Sequence, residues 1–211
     1  MIICSDFDGT IAQNDVGSLL ARTFGDPVVC QRCVASWKSG EISSRECQEQ
    51  ELATVRVTPA ALAELCAQQA LSPGFAEFVA LCRGRGWPLI VLSDGFDFYI
   101  RQILARHGLE LPLVSNHLHF IPPDRVAADF PYWQHTCGRC GNCKGYHVRR
   151  LRRPGEQMVY IGDGYSDRCG AAEAELIFAK HDLAEWCQTN RAAYHAYEDF
   201  HAIARVLAQR S

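Results

Sequence analysis

The chain has 211 residues, of which 48% are hydrophobic and 21% are charged, and its formal net charge is −3. This composition is typical of a soluble globular domain with a smaller appendage, and so weak a net charge does not attract nucleic acid or an anionic membrane. No apolar stretch is long enough to span a bilayer, and the first apolar run starts at Ile2, which leaves no room for a signal peptide. We therefore expect a cytoplasmic protein whose eleven cysteines are reduced thiols, core residues or metal ligands.

The first apolar run ends abruptly at two acids and a glycine, Asp6, Asp8 and Gly9. The run predicts a buried strand, and because side chains alternate along a strand, Asp6 and Asp8 leave its carboxyl end on the same side. Two carboxylates this close repel each other unless a cation or a shared proton lies between them. The simpler alternative is a strand that ends in an ordinary Asp-Gly turn.

Residues 15–71 lack strand patterns and show helical periodicity with three breaks, which predicts about four helices in a small bundle over the end of the first strand. Beyond Ser72, apolar runs alternate with helical patterns, and residues 113–121 alternate like a strand or a hairpin. This order predicts the α/β class, with a Rossmann-like parallel sheet covered by helices on both faces. We expect a core of residues 1–14 and 72–211, a helical unit of residues 15–71, and an irregular Cys-rich insertion at residues 122–143.

Polar side chains follow two further predicted strands. Ser93, Asp94 and Gly95 end one apolar run, and Asp163 and Asp167 follow another. Because the carboxyl ends of parallel strands meet at one edge of a sheet, we expect these groups to join Asp6 in one site. Oxygen ligands without histidine favour a hard cation such as Mg²⁺, which would hold a phosphate.

Lys144 follows the Cys-rich insertion and opens a predicted helix just before the strand that leads to Asp163. Its ammonium could reach a phosphate as a point charge, although an isolated lysine is more often a solvated surface residue. The hydroxyl of Ser93 and the amides of Asp94 or Gly95 could also donate to phosphate oxygens, because a helix begins directly after them.

The Cys-rich insertion has its own candidate chemistry. His135, Cys137, Cys140 and Cys143 combine a CxxCxxC run with a histidine two residues before it, which is the ligand density of a Zn²⁺ site. Cys169 and His147 are spare ligands in this interpretation. The alternative is a reduced loop packed through its glycines.

Four motifs resemble those of the haloacid dehalogenase superfamily of phosphohydrolases. In chain order they are Asp6-Phe7-Asp8-Gly9-Thr10, Ser93-Asp94-Gly95, Lys144, and Gly162-Asp163-Gly164-Tyr165-Ser166-Asp167. The helical stretch between the first two motifs resembles the C1 cap of the phosphoserine phosphatase-like branch. Within that branch the chain resembles the MtnX-type phosphatases of methionine salvage, which act on 2-hydroxy-3-keto-5-methylthiopentenyl-1-phosphate. That likeness lies in Asn14-Asp15, Ser72-Pro73-Gly74-Phe75, Ser115-Asn116 and residues 140–144.

The resemblance implies a role for each motif. Asp6 would attack phosphorus to give an aspartyl-phosphate, and Asp8 would protonate the leaving alcohol and later deprotonate water. Mg²⁺ would be held by Asp6, the carbonyl of Asp8 and Asp163, with Asp167 in support, while Ser93 and Lys144 bind the phosphoryl oxygens. The expected partner is a small-molecule phosphate monoester, and the protein would be a monomer or a homodimer.

The substrate depends on the cap. Where phosphoserine phosphatases place an arginine for the substrate carboxylate, this chain has amides and acids, from Cys47 to Glu51, with Arg45 nearby. Gln48 and Arg45 are the candidate substrate-binding residues of the cap, and amide chemistry favours an uncharged enol or diketo phosphate of the methionine-salvage type. Phosphoserine and phosphocholine-type phosphates are the alternatives. Two other classes stay open: a non-catalytic metal-binding or sensor protein that uses the Cys-rich loop, and a phosphotransferase or mutase.

Overall fold

The order of the strands in the sheet determines where the polar residues that follow them lie. The structure is a computed structural model that describes residues 1–210. In those residues the strands are β1 (Ile2–Ser5), β2 (Leu89–Phe96), β3 (Leu113–Ile121), β4 (Arg125–Asp129), β5 (Met158–Gly162), β6 (Leu176–Ala179) and β7 (His195–Ala196). They form one sheet in the order β4–β3–β2–β1–β5–β6–β7, parallel throughout except for the antiparallel edge pair β3–β4. The predicted α/β fold with a mostly parallel sheet is confirmed.

Helices lie between the strands and in the segment before β2. They are α1 (Val16–Phe24), α2 (Pro27–Ser39), α3 (Ser44–Thr54), α4 (Pro59–Ala67), α5 (Phe75–Gly84), α6 (Asp97–Arg106), α7 (Lys144–Leu151), α8 (Arg168–Ala171), α9 (His181–Thr189) and α10 (Phe200–Ala208). Short 3-10 helices span Trp133–His135 and Tyr165–Asp167. None of the helices in the described part of the chain is long and apolar enough to cross a membrane.

Each face of the sheet packs against its own group of helices. Ile3 of β1 belongs to the apolar cluster that includes side chains of α5, α6 and α10, whereas Ile2 and Cys4 belong to the cluster formed with α7, α8 and α9. Alternate residues of a strand point to opposite faces, so the short apolar run of β1 must be apolar at every position. β1 is the middle strand of the seven, so helices cover it on both faces.

The four helices α1 to α4 form the helical unit that lies over the carboxyl edge of the sheet. Each begins at a capping side chain that accepts a backbone N–H: Asp15, Asp26, Ser43 and Thr58. The chain enters and leaves this unit along two adjacent passages, where the Gln13 amide donates to Ala70 and the Ser72 amide donates to Ile11. The unit therefore connects to the sheet through one narrow stem.

Residues 122–143 are less irregular than their composition predicts. Arg125–Asp129 forms β4, which pairs antiparallel with the outer half of β3, so the segment begins as the second arm of a hairpin. The sequence pattern missed this strand because it is short and lies at an edge, where backbone pairing with β3 decides the structure more than side-chain burial does. The hairpin also contacts the helical unit, since the Val57 amide donates to the carbonyl of Asp124 at 2.6 Å.

Candidate active site

Three aspartates meet where β1 and β5 end. The two strands are neighbours in register, with Ser5 opposite Ile161, so the side chains that follow them converge at one point of the sheet edge. Asp6, Asp163 and Asp167 each bring a carboxylate oxygen within 4.8 Å of the others. Asp6 and Asp167 are buried, which makes their mutual repulsion strong.

Lys144 is the cation of this cluster. Its side chain is buried, and its Nζ donates to Asp6 Oδ1 and to Asp167 Oδ1, both at 2.6 Å, and to Ser166 Oγ at 3.1 Å. Burial by itself would lower the pKa of this lysine, but the carboxylates of Asp167 and Asp6 outweigh burial and raise its pKa. Lys144 is therefore a fixed positive charge between the two acids, and the solvated surface alternative does not hold.

Asp8 lies beside the first turn of α1, on the side of the site that faces the helical unit. Its Oδ1 accepts from the Val16 amide at 2.9 Å, and its Oδ2 accepts from the Tyr99 hydroxyl at 2.7 Å. Burial raises the pKa of Asp8 to about 7, and the nearby carboxylate of Asp15 adds to the rise. A carboxyl group with this pKa can donate or accept a proton near neutral pH.

The loop after β5 is organised by Asp167, whose Oδ2 accepts from the amides of Asp163 at 3.0 Å and Gly164 at 2.8 Å. Asp163 in turn accepts from the Thr10 hydroxyl at 2.7 Å. A Cβ at Gly9, which has φ +73°, would lie 2.5 Å from Asp163 Oδ2, so the turn after β1 requires glycine for two reasons.

The donor set suits Mg²⁺. Burial raises the pKa of Asp163 to about 6 and raises that of Asp6 well above its usual range, so each carboxylate lacks part of the positive charge that would keep it ionised. Lys144 pairs with only two of these carboxylates, Asp6 and Asp167, and all the side-chain ligands are hard oxygens. A divalent cation would complete the charge balance of this cluster.

Asp94 links the sheet edge to the helical unit. Its Oδ2 accepts from the Ser44 hydroxyl at 2.5 Å, and its Oδ1 accepts from the Asn142 amide at 2.6 Å. The carbonyl oxygen of Asp94 accepts from the side-chain amides of Gln48 at 2.8 Å and Asn116 at 2.7 Å. In the same motif the Gly95 amide donates to Ser93 Oγ at 2.9 Å, and Ser93 Oγ is 3.4 Å from Asp8 Oδ2.

A cavity of about 350 Å³ separates the aspartates from the helical unit. Its floor includes Asp6, Asp8, Ser93 and Asp163, and its roof includes Asp15, Val34, Trp37, Lys38, Gln48 and Glu51. At the rim of the cavity the Trp37 ring packs edge-on against the Tyr165 ring, with 5.1 Å between the ring centres. Lys38 Nζ pairs with Asp182 Oδ2 at 2.5 Å. These contacts hold the helical unit down on the loop after β5.

The structure does not bring Arg45 to this cavity. The guanidinium pairs with Glu49 one turn along α3, at 2.8 Å, and lies over the rings of Phe130 and Trp133. Helical spacing explains the difference, because Ser44 and Gln48 share the face of α3 that points to the cavity and Arg45 is on the next face. Gln48 does line the cavity, as expected of a cap residue.

The predicted zinc ligands are brought together only in part. Sulfur atoms of Cys137, Cys140 and Cys143 converge, and the fourth group among them is the thiol of Cys169, within 4.8 Å of the others. The His135 ring instead stacks on the ring of Tyr146 at 5.1 Å. His135 was expected because it is close in sequence, but the 3-10 helix Trp133–His135 carries it away from the thiols.

Several residues of the site were not found from the sequence. Asn116 and Asn142 were part of the motifs that carry the family resemblance, but the sequence predicted no contact or function for either of them. Thr10 was likewise named only as part of the first motif. Tyr99 and Ser44 gave no signal, because a tyrosine or a serine within a helical pattern predicts nothing about a partner that is distant in sequence. Lys180, just after β6, was also not predicted, and its Nζ lies 5.1 Å from the centre of the Tyr197 ring. Burial lowers the pKa of Lys180, and the carboxylates of Asp163 and Asp6 oppose that shift.

The fold and the site together define a class, that of α/β proteins with a carboxylate centre at the carboxyl edge of a parallel sheet. The model of the haloacid dehalogenase-like hydrolases matches residues 3–172, so the chain belongs to that family.

Comparison with curated proteins agrees with this assignment. The chain is 28% identical to a 2-hydroxy-3-keto-5-methylthiopentenyl-1-phosphate phosphatase of Brevibacillus brevis over 99% of its own length and 96% of the relative. It is 30% identical to Pdp3-interacting factor 1 of Schizosaccharomyces pombe, over 98% of its own length and 94% of the relative. A phosphoserine phosphatase solved as an analogue of its phospho-aspartyl intermediate superposes with a TM-score of 0.76 at 18% identity and 97% coverage of both chains. The family resemblance drawn from the four motifs is confirmed.

Proposed function

We propose that this chain is a Mg²⁺-dependent phosphomonoesterase that forms an aspartyl-phosphate on Asp6. That it is a phosphatase of the haloacid dehalogenase-like family follows from the family match and from the relatives named as phosphatases. To this activity we add Mg²⁺ as the metal, a role for each residue of the site and a class of substrate. Its main support is the geometry of Asp6, which lies at the cavity floor with one oxygen held by Lys144.

In this proposal the phosphoryl group moves between oxygens of Asp6 and of the substrate. Lys144 orients the Asp6 carboxylate and offsets part of the effect of burial on its pKa, so ionised Asp6 can attack phosphorus and the bond from phosphorus to the alcohol oxygen breaks. Asp8, with its pKa raised to about 7, gives its proton to the leaving oxygen and afterwards takes one from the water that hydrolyses the aspartyl-phosphate. The Ser93 hydroxyl, 3.4 Å from Asp8, is near enough to turn toward a phosphoryl oxygen.

The residues that would hold Mg²⁺ are Asp6, Asp163 and the carbonyl of Asp8, with Asp167 orienting the loop around them. When bound, the ion would supply positive charge to the transferring phosphoryl group. The helical unit of residues 15–71 acts as the cap. It excludes water through the Trp37 and Lys38 contacts and presents Gln48 to the rest of the substrate.

For the substrate we favour a small carbonyl-bearing phosphate of the methionine-salvage type. Gln48 supports this choice, because its amide nitrogen is engaged by Asp94 while its Oε1 is buried without a hydrogen-bond partner in residues 1–210. A substrate hydroxyl in the cavity would satisfy that oxygen. The apolar roof around Val34 and Trp37 offers room for a thioether.

Phosphoserine suits the cavity less well. Its carboxylate asks for an arginine or a free lysine. Among the described residues that line the cavity there is no arginine, and the one lysine, Lys38, is already paired with Asp182. Most of the charged side chains that line the cavity are carboxylates.

Those acids support a second candidate, an amine-bearing phosphate of the phosphocholine type. Glu51 and Asp15 both line the cavity, and so does Trp37. Burial, with a further contribution from Asp15, raises the pKa of Glu51 to about 7. A cationic head group would relieve that repulsion and could lie against the indole ring.

A phosphate-release assay with three substrates tests the function and separates the candidates. We expect turnover that is lost after chelation and restored by Mg²⁺, with the highest kcat/KM for the methionine-salvage phosphate. Gln48→Met should raise KM for that substrate about tenfold, or about 1.4 kcal/mol, while Gln50→Met on the same helix, outside the cavity, should not. A tenfold preference for phosphoserine would overturn the substrate choice, and free phosphate at background with every ester would favour a mutase or a non-catalytic protein.

A further inference from the structure

The thiol cluster is the largest group of reactive side chains that the proposed chemistry leaves unused. It joins two segments that are distant in sequence. Cys137, Cys140 and Cys143 come from the loop before α7, and Cys169 comes from the first turn of α8. Tight packing brings the segments together, since a Cβ at Gly145 would lie 2.5 Å from the carbonyl oxygen of Cys169.

The sulfur atoms are spaced as a single zinc ion requires. With Zn–S bonds of about 2.3 Å, the edge between two sulfurs of a tetrahedral Zn(Cys)₄ site is about 3.8 Å. The distance from Cys137 Sγ to Cys140 Sγ is 3.5 Å, and that from Cys169 Sγ to Cys137 Sγ is 3.9 Å. All four sulfurs lie within 4.8 Å of one another, so a single ion could touch each of them.

The backbone of the loop brings two of the cysteines together. Gly138 has φ +78°, which allows the tight turn that returns Cys140 toward Cys137. The Gly138 amide donates to the Thr136 hydroxyl at 3.2 Å, and the Tyr146 amide donates to the carbonyl oxygen of Cys143 at 3.1 Å. The turn and the start of α7 are therefore held by hydrogen bonds of the loop itself.

We propose that Cys137, Cys140, Cys143 and Cys169 bind one Zn²⁺ as a closed structural site. Four thiolates leave no open position for substrate or water, so the ion has no catalytic part. It cross-links the loop before α7 to the start of α8, and each of these segments carries a residue of the active site. Cys143 directly precedes Lys144, and Cys169 is two residues after Asp167. The same loop donates from Gly141 to Ser44 and from Asn142 to Asp94.

Other uses of four thiols agree less well with the geometry. In the described residues all of these cysteines are free, and a pair of disulfides would need sulfurs at about 2 Å rather than at the edges of a tetrahedron. A cluster of several irons needs its thiolates spread over separate metal atoms, whereas these four sulfurs all lie within 4.8 Å of one another. A single iron would share the geometry and would colour the protein.

Metal analysis of the intact protein, purified without added metal, is the first test. We expect about one equivalent of zinc per chain and a colourless protein. Replacement of zinc by Co²⁺ should give the visible bands of a tetrahedral ion and an ultraviolet thiolate-to-cobalt band of the strength that four sulfurs produce. Less than about a tenth of an equivalent of zinc, together with no cobalt spectrum after reconstitution under reducing conditions, would overturn the proposal.

Variants then identify the fourth ligand. Cys169→Ser should lose most of the zinc or bind it so weakly that a mild chelator removes it, and its Tm should fall. His135→Ala should keep a full equivalent and an unchanged cobalt spectrum. Cys33→Ser is the matched control, because Cys33 is a buried cysteine of α2 whose thiol donates to Gln50 Oε1 at 3.2 Å, a bond that serine can keep.

The opposite pattern, with zinc lost from His135→Ala and kept by Cys169→Ser, would refute the ligand set. If Cys169→Ser does not accumulate as soluble protein, Cys137→Ser replaces it, because Cys137 is exposed and its substitution leaves the core intact. Zinc content is measured without any substrate, so it can succeed or fail independently of the phosphatase proposal.

Discussion

The carboxylate cluster and the thiol cluster share two segments of chain, yet they balance charge in different ways. Residues 143–144 and 167–169 contribute to both, with Lys144 and Asp167 on one side and Cys143 and Cys169 on the other. The carboxylate cluster contains its own buried cation, whereas the thiol cluster has no lysine or arginine among its members. One group is hard oxygen and the other soft sulfur, which selects different metals.

This difference indicates what each metal would do. Lys144 already pairs with Asp6 and Asp167, so the fold would persist whether or not Mg²⁺ is bound. The four thiols include no positively charged side chain, so a metal ion would itself neutralise their thiolates. Its binding free energy would then contribute to the stability of the fold. Removing metal should therefore affect turnover at the first cluster and stability at the second.

The largest expected effect is that of Asp6→Asn on catalysis. The change keeps the shape of the side chain but removes the nucleophilic carboxylate, so kcat/KM should fall by about 10³-fold or more. Tm and zinc content should stay close to those of the wild type, because Lys144 keeps Asp167 as its partner. Steady-state kinetics and a thermal melt measure the two quantities. Asp129→Asn, on the exposed hairpin, is the control, and full activity in Asp6→Asn would end the covalent mechanism.

Lys144→Met tests whether the internal cation is what makes the carboxylate cluster independent of metal. Loss of the ammonium leaves Asp6 and Asp167 buried and unpaired, which should cost about 3–5 kcal/mol and lower Tm by about 6–20 °C. Mg²⁺ should restore more of the Tm in this variant than it adds to the wild type, because the ion then supplies the positive charge that Asp6 and Asp167 have lost.

The control for this variant is Lys38→Met, which removes a partly exposed ion pair with Asp182 and should change stability by less than about 1 kcal/mol. A Lys144→Met protein with the wild-type Tm in the presence of a chelator would contradict the role given to Lys144.

The smallest effect concerns Glu51, a half-buried carboxylate that forms no ion pair with a lysine or arginine of residues 1–210. Its pKa is raised from 4.5 to about 7, so between these pH values the folded protein keeps a proton that the unfolded chain has released. The stability that comes from this proton is fully present below about pH 4.5 and is lost as the pH rises to about 7. Glu51→Gln should therefore raise Tm at pH 8 by about 2–4 °C, which is about 1 kcal/mol for a chain of this size.

At pH 5 the melting temperatures of Glu51→Gln and the wild type should approach each other. Glu49→Gln, an exposed residue of the same helix, serves as the comparison across the pH range. Equal destabilisation at both pH values would mean that Glu51 acts through packing and not through its charge.

The sequence by itself determined the class of fold and the acidic edge of the site. Short apolar runs separated by helical patterns require a covered parallel sheet, and acids directly after such runs must lie at its carboxyl edge. For this reason Asp6 and Asp163 could be assigned to one site without coordinates, and the structure brings their oxygens together. The position of an acid that directly follows a buried strand is determined by the few residues around it, so the sequence is enough to assign it.

Tertiary packing decided the partners that lie far apart in the chain. Cys169 replaces His135 in the thiol cluster because α7 packs on α8 through Gly145, and no spacing rule reports a contact across 26 residues. Arg45 turns away from the cavity while Gln48 enters it, because the rotation of α3 about its axis is set by contacts with Asp94 on a separate strand. A sequence pattern defines which face of a helix is apolar, but which polar side chain on it meets a given partner depends on the packing of the whole fold.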